Sequence, residues 1–189
     1  MISGKRFVLL DRDGTVNVEK HYLSDPDQVE LIPHAARGLA EMARLGLGLV
    51  VVTNQSAIGR GLFDRARLDQ IHERLGELLR AEGVRLDGVY VCPHLPQDEC
   101  RCRKPRPRLV ELAAGDLGFR ASDAFMIGDK RCDIELGRAV GATTFLVRTG
   151  YGVEAEADES LRPDYLVDDL WRASQVIGSL LDRKRPNRR

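Results

Sequence analysis

A doubly wound α/β fold, a parallel sheet with helices on both faces, is what the 189-residue sequence predicts, on three observations. Short apolar runs alternate with stretches of helical periodicity, the order expected of strand–helix–strand units joined by right-handed crossovers. The runs are apolar throughout rather than at every second residue, as in strands buried on both faces. Three of them end abruptly in polar groups: residues 7–10 in Asp11 and Asp13, residues 49–52 in Thr53 and Asn54, residues 124–127 in Gly128 and Asp129. Ligands of such sheets bind beyond the carboxyl ends of the strands, near the reversal of strand order, so three polar strand ends point to one site.

Residues 7–10, FVLL, form the first expected strand, and residues 16–32 read as a polar connection. Pro33, well suited to a first helical turn, opens a helix to about residue 45 with Leu39, Met42 and Leu45 on one side, and Gly46 ends it. Residues 49–52 form the second strand. Asp64 is placed to cap a long helix to residue 81, in which Leu68, Ile71, Leu75, Leu78 and Leu79 recur at helical spacing before Gly83. Residues 89–91 form a third strand that opens into CPHLPQDECRCRKPRP, and Pro107 starts a helix to about residue 117. A strand at 124–127, a helix at 133–140, strands at 144–147 and 165–167 and a helix at 170–181 complete the pattern. The expected organisation is one domain, residues 1–182, containing the cysteine loop 92–102, with a basic tail at 183–189 expected to be solvated and disordered. The sequence contains no internal repeat.

Lys plus Arg number 29 and Asp plus Glu 29, so the chain lacks the global basic field on which nucleic-acid binding relies. The apolar run at the N-terminus is too short for the core of a signal peptide, and nothing approaches membrane-spanning length, so a cytoplasmic protein with no membrane partner is expected. In a reducing compartment, clustered cysteines suggest a metal before a disulfide.

Asp11 and Asp13, two apart at a strand end and followed by Gly14, suit a nucleophile and a proton donor around a divalent cation. An isolated DxDG is equally an ordinary Asp-Gly turn, and the partners at the other strand ends weigh against that reading. Cys92, His94, Cys100 and Cys102 give C-x-H-x5-C-x-C, enough to close a tetrahedral zinc shell with no open position. Reduced surface cysteines and a disulfide are the alternatives, though a bridge within Cys100-x-Cys102 is sterically awkward. Cys132 lacks a partner in sequence and reads as a packed helix residue, His34 and His72 as packing or surface residues, and Arg60 and Arg106 as cations near the site or, more simply, on a solvated surface.

Four ordered motifs, DRDGT (11–15), TNQS (53–56), RKP (103–105) and GDKxxD (128–133), resemble those of the haloacid-dehalogenase-like phosphatases. VNVEKHYL after the first motif, TNQSxIxRG at the second and LVRTG at 146–150 are similar, more closely, to the D-glycero-D-manno-heptose 1,7-bisphosphate 7-phosphatase family. Ala57 stands where that family usually has Gly, and Arg108 where a Gly commonly follows KPxP.

The resemblance implies a Rossmann-like fold without a large cap domain, an open site and a monomer. It implies that Asp11 attacks phosphorus to form an aspartyl-phosphate, while Asp13 protonates the leaving sugar oxygen and later accepts a proton from water. Asp13 must then be partly protonated, a state that neighbouring Asp11 promotes. Mg2+ would be held by Asp11, the main-chain carbonyl of Asp13 and the side chain of Asp129. Thr53 and Lys104 would stabilise the phosphoryl oxygens. Lys130 would balance charge and meet the substrate, and Asp133 would orient that loop or cap a helix. Glu19, Lys20, His21 and Tyr22 match the substrate-facing segment, with Asn54, Gln55, Ser56 and Arg103 as further substrate contacts. Family members carry a zinc site like the 92–102 cluster, which here would fix the loop that delivers Lys104.

The expected activity is Mg-dependent removal of the 7-phosphate of a heptose bisphosphate, a small phosphorylated sugar, leaving heptose 1-phosphate for nucleotide activation. The alternative is histidinol-phosphate phosphatase, a sister group with similar CPHLPxDEC spacing. From another class, a signalling domain that accepts and holds phosphate would also place carboxylates, a Thr and a Lys at strand ends. The second Asp of DxDGT favours turnover.

Overall fold

The computed structural model of the chain describes residues 4–183. Its strands are β1 (Phe7–Leu10), β2 (Gly48–Asn54), β3 (Gly88–Cys92), β4 (Phe125–Gly128), β5 (Thr143–Val147) and β6 (Tyr165–Val167), all parallel in the order β3-β2-β1-β4-β5-β6. The helices are α1 (Ala35–Arg44), α2 (Ser56–Gly59), α3 (Arg65–Ala81), α4 (Arg108–Leu117), α5 (Arg131–Ala139), α6 (Gly152–Glu156) and α7 (Leu170–Arg183). The chain runs outward from β1 through β2 to β3, then returns to place β4 on the other side of β1. The order reverses there, and the crevice lies at the carboxyl ends of these two strands.

The apolar runs divide by residue parity, as a pleat requires. Val8, Leu10, Leu49, Val51, Phe125 and Ile127 face a layer that includes Leu39 and Met42 of α1, Ile71, Leu75 and Leu79 of α3, and Ile177 of α7. Phe7, Leu9, Val50, Val52 and Met126 face Leu109, Val110 and Ala113 of α4 and Leu136 of α5. Both faces of the central strands are therefore covered by apolar side chains, and their polar groups gather at the strand ends.

The structure extends or shifts several expected elements. β2 runs on through Thr53 and Asn54, which pair with β3. The segment 16–32 is no simple polar connection: Val16, Leu23, Val29 and Ile32 are buried in the core, and Asn17 bridges to Asp13 and Leu31. Asp64 does cap α3, accepting the Arg67 N–H at 2.9 Å. α5 begins at Arg131 rather than 133, because the Asp133 side chain accepts the Lys130 N–H at 3.1 Å and supports the first turn. The short helices α2 and α6 are additions. Arg183 closes α7, and the rest of the expected basic tail, like residues 1–3, lies outside the described residues. Among the described residues no helix is long and apolar enough to cross a membrane.

Candidate active site

A cavity of about 300 Å³ opens at the carboxyl ends of β1, β2 and β4, with Asp11, Asp13, Thr53, Lys104 and Lys130 in its lining. Asp11 is fixed by the sheet itself: its N–H continues the ladder to the Ile127 carbonyl at 3.0 Å. Its carboxylate meets the Lys104 ammonium at 2.8 Å, and Lys104 also lies 2.7 Å from Asp133, both partners almost wholly buried. Burial pushes Asp11 up, but Lys104 and Lys130 outweigh it and hold this carboxyl below the usual range. Burial would lower Lys104, yet Asp11 and Asp133 raise it. Asp133 thus holds the Lys130 backbone at the start of its own helix with one oxygen and anchors Lys104, a role the sequence does not suggest, with the other.

The loops after β1 and β5 close around Asp129. Gly14 and Gly150 have φ of +84° and +56°, and a Cβ on either would lie 2.2 Å from an Asp129 oxygen, so both positions need glycine for conformation and for space. Thr149 ties the two loops by donating to the Gly14 carbonyl at 2.6 Å, and the Tyr151 N–H donates to Asp129 Oδ2 at 2.9 Å. Burial and the nearby Asp11 charge push the Asp129 carboxyl up to about 7. Lys130 Nζ sits among the Asp13 carbonyl (3.1 Å), Glu19 (3.3 Å), Asp129 Oδ1 (3.4 Å) and Asp11 Oδ2 (3.6 Å).

One oxygen each of Asp11, Asp129 and Asp133 lie within 4.8 Å of one another. Asp133 already spends both oxygens, on Lys104 and the Lys130 N–H. Asp11 Oδ2, Asp129 Oδ1 and the Asp13 carbonyl converge on the Lys130 ammonium, and this all-oxygen set is of the donor class that a hard divalent cation takes.

Several expected contact residues are engaged in holding the site together. Asn54 accepts the Lys104 N–H at 3.0 Å and donates to the Lys104 carbonyl at 3.3 Å, fastening that lysine to the end of β2. Gln55 donates to Asp13 Oδ2 at 2.8 Å and to the Thr53 hydroxyl at 2.9 Å. Ser56, Glu19, His21, Tyr22 and Arg103 line the cavity, as does Ala57. Lys20 does not: the chain turns it outward, 3.4 Å from Glu30. His21, at φ +43°, meets the Tyr151 hydroxyl at 3.2 Å, and Tyr22 lies under Arg60. Arg108 begins α4 away from this wall. His34 precedes α1 and pairs with Asp169.

Sequence reasoning missed three participants. Arg12, between the two motif carboxylates, is one of the largest fully buried side chains and clasps Asp13. His72 of α3 also meets it, with Nε2 3.1 Å from Arg12 Nη1. Tyr151 lines the cavity with its ring 5.2 Å from Lys130 Nζ; its position directly after LVRTG was the available signal. Cys132, expected to be packed in a helix, is the second residue of α5 and borders the cavity, and burial with Asp133 pushes its thiol up to about 12.

At the end of β3, Cys92, His94, Cys100 and Cys102 bring four donor atoms within 4.8 Å of one another. The three Sγ separations are 3.2, 3.5 and 3.6 Å, near the edge of about 3.8 Å that a zinc–thiolate tetrahedron would have. None of the four cysteines forms a disulfide. Burial acts to raise the Cys100 thiol, but N–H groups of Arg103 and Cys102 bring it down to about 7. Arg106 donates to the Glu99 and Cys100 carbonyls, so this expected solvated cation braces the loop. Arg103 donates to the His94 carbonyl at 3.2 Å.

A family model described as HAD-hydrolase-like matches residues 101–173. The chain is 39% identical to the D-glycero-beta-D-manno-heptose-1,7-bisphosphate 7-phosphatase of Photorhabdus laumondii, over 96% of this chain and 95% of that protein. It is 36% identical to the protein of that name from Haemophilus ducreyi, over 95% of this chain and 96% of that one. The solved structure of D,D-heptose 1,7-bisphosphate phosphatase from B. bronchiseptica, complexed with magnesium and phosphate, matches with a TM-score of 0.87 at 30% identity, covering 93% of this chain and 99% of that one. The corresponding structure from Burkholderia thailandensis matches with a TM-score of 0.73 at 32% identity, over 93% and 99%.

Proposed function

The chain belongs to the D-glycero-beta-D-manno-heptose-1,7-bisphosphate 7-phosphatase family of haloacid-dehalogenase-like phosphatases, and from that premise we propose that it removes the 7-phosphate of a heptose bisphosphate through an aspartyl-phosphate on Asp11. The observation that carries this reading is the position of Asp11 on the cavity floor, ionised between Lys104 and Lys130. A carboxylate kept charged and held to the sheet is a nucleophile already in place.

Asp11 forms a bond to phosphorus as the bond from phosphorus to the sugar oxygen breaks, and Asp13 gives that oxygen a proton. Water then attacks the phosphorus, Asp13 takes its proton, and phosphate leaves with Asp11 regenerated. Lys104 and the Thr53 hydroxyl face the charge on the equatorial phosphoryl oxygens, where positioning and electrostatics account for most of the catalysis. Mg2+, held by Asp11, Asp129 and the Asp13 carbonyl, would supply charge neutralisation between the carboxylates and the phosphate dianion. Arg103 lines the same cavity and suits the second phosphate, whereas the ammonium of histidinol phosphate would meet this cation unfavourably. Zinc on the four-donor cluster would act as a splint for Arg103 and Lys104, since a closed four-ligand shell leaves no position for substrate. The product, a heptose 1-phosphate, suits nucleotide activation at its remaining phosphate.

A phosphate-release screen of both heptose 1,7-bisphosphate anomers and histidinol phosphate, on wild type and Asp11→Asn, tests the reading. Turnover of a heptose bisphosphate by the wild type and its abolition in Asp11→Asn are expected. Preference for histidinol phosphate would overturn the substrate assignment, and substantial activity in the variant would overturn the nucleophile.

A further inference from the structure

Asp13 is gripped more fully than a solvent-facing carboxylate needs. Both its oxygens accept from Arg12, through Nε (3.1 Å to each) and Nη2 (3.0 and 2.8 Å), and it accepts further from the amides of Asn17 (2.9 Å) and Gln55 (2.8 Å). Of these donors Arg12 alone carries charge, and its side chain is 1% exposed. Nη2 also donates to Gln55 Oε1 at 3.0 Å. Nη1 does not reach Asp13 and instead meets His72 Nε2 at 3.1 Å. A guanidinium has donors and no acceptor, so Nε2 must carry the lone pair and the imidazole proton must sit on Nδ1.

We propose that His72 is a positioning residue for proton transfer: by accepting from Nη1 it fixes the plane of the Arg12 guanidinium, and through that plane the direction of the Asp13 carboxylate. The inference deepens the reading of Asp13 as acid and base and rests on it. Neither Arg12 nor His72 lines the cavity. Their effect on the reaction therefore passes through Asp13, and substrate affinity is left to other groups. His72 comes from α3, which carries none of the strand-end motifs, so the central strand alone does not complete the arrangement. The neutral state of the ring agrees with the geometry: burial first, then the Arg12 charge, push it down to about 4 against the opposite pull of Asp13 and Asp69.

The test uses the Mg2+-loaded enzyme on a heptose bisphosphate, with His72→Met, His72→Gln, Asp13→Asn and the double variant His72→Met/Asp13→Asn. His72→Met is expected to lower kcat roughly tenfold with little change in KM, since a misplacement of about 1 Å costs on the order of 100-fold. His72→Gln, whose amide oxygen reaches the same place, should recover most of the loss. In the Asp13→Asn background, His72→Met should add nothing, as expected of groups in one chain of contacts. Wild-type kcat in His72→Met, equal losses in Met and Gln variants, or additive losses in the cycle would overturn the proposal. If His72→Met fails to fold by circular dichroism, nitrogen NMR of the wild type decides. A bare Nε2 with the proton on Nδ1 supports the proposal, and a protonated Nε2 overturns it. Wild-type turnover by Asp13→Asn would instead remove the acid–base role of Asp13 itself, a result separable from failure at His72.

Discussion

Gly150, like Gly14, combines a left-handed backbone with an approach to Asp129 that leaves no room for a methyl group. Gly150→Ala should destabilise the chain by roughly 1–3 kcal/mol through backbone strain and displacement of Asp129. It should also weaken Mg2+ binding; urea denaturation and calorimetric titration with Mg2+ read the two effects separately. Ordinary stability with unchanged Mg2+ affinity would show that Asp129 does not depend on this contact. His72 gives a pH dependence of known sign. Its folded-state value is pushed down to about 4 from 6.5, so as pH falls the unfolded chain takes up the proton first. The contribution of His72 to stability should be complete above pH 6.5 and decline toward pH 4, by on the order of 3 kcal/mol at most. His72→Gln should flatten that part of the stability curve, and an unaltered slope would place the acid sensitivity elsewhere. Asp11 and Asp13 were legible as candidates because charge seldom follows a buried strand so abruptly. The burial of Arg12 was not legible, since a guanidinium becomes an interior group only when Asp13, Gln55 and His72 arrive together from three parts of the chain. The outward turn of Lys20 was hidden for a related reason: loop direction is set by contacts, here with Glu30, and no periodicity reports it.

Among the elements, the loop that leaves β3 has the most to lose. It reaches from Cys92 to Lys104 and is braced by Arg106 on its carbonyls and by Asn54 on the Lys104 backbone. Cys100→Ser should release zinc, loosen Arg103 and Lys104, and lower phosphatase activity even in excess Mg2+, because Mg2+ prefers oxygen ligands and does not replace zinc among thiolates. Elemental analysis of wild type and variant, with activity measured alongside, checks this. Fully active zinc-free wild type would dispose of the splint. The strands were readable as apolar runs, and the longer helices by their spacing and caps. α2 and α6, of four and five residues, are too short to express a helical period and went unseen. The start of α5 was misplaced by two residues because the support comes from a side chain inside the helix, Asp133, rather than from a residue before it.

For the whole molecule, the reversal of strand order beside β1 brings Asp11 and Asp129 to one crevice, while the walls above it are loops rather than a separate cap. On the proposed reading, substrate choice belongs to those walls. Arg103→Ala should raise KM for a heptose bisphosphate more than for a simple monophosphate, and equal increases on both would assign Arg103 to general phosphate binding. Alternation of strands and helices made the doubly wound fold predictable. Pairing order was another matter, because apolar strands buried on both faces resemble one another and leave register and neighbours to tertiary packing.

β3 is an edge strand, hydrogen-bonded within the sheet only to β2, whereas β1, β2 and β4 each have a neighbour on both sides. Asp11, Thr53 and Asp129 thus hang from the part of the molecule least free to vary, and Arg103 from a segment tethered at Cys92 and again at Lys104. Between those two anchors, insertions, deletions and new side chains can accumulate without disturbing a central strand, provided the four donors still meet. On the proposed reading, changes between those anchors would alter the contacts that Arg103 offers a substrate while the strands that carry Asp11, Thr53 and Asp129 stay in place.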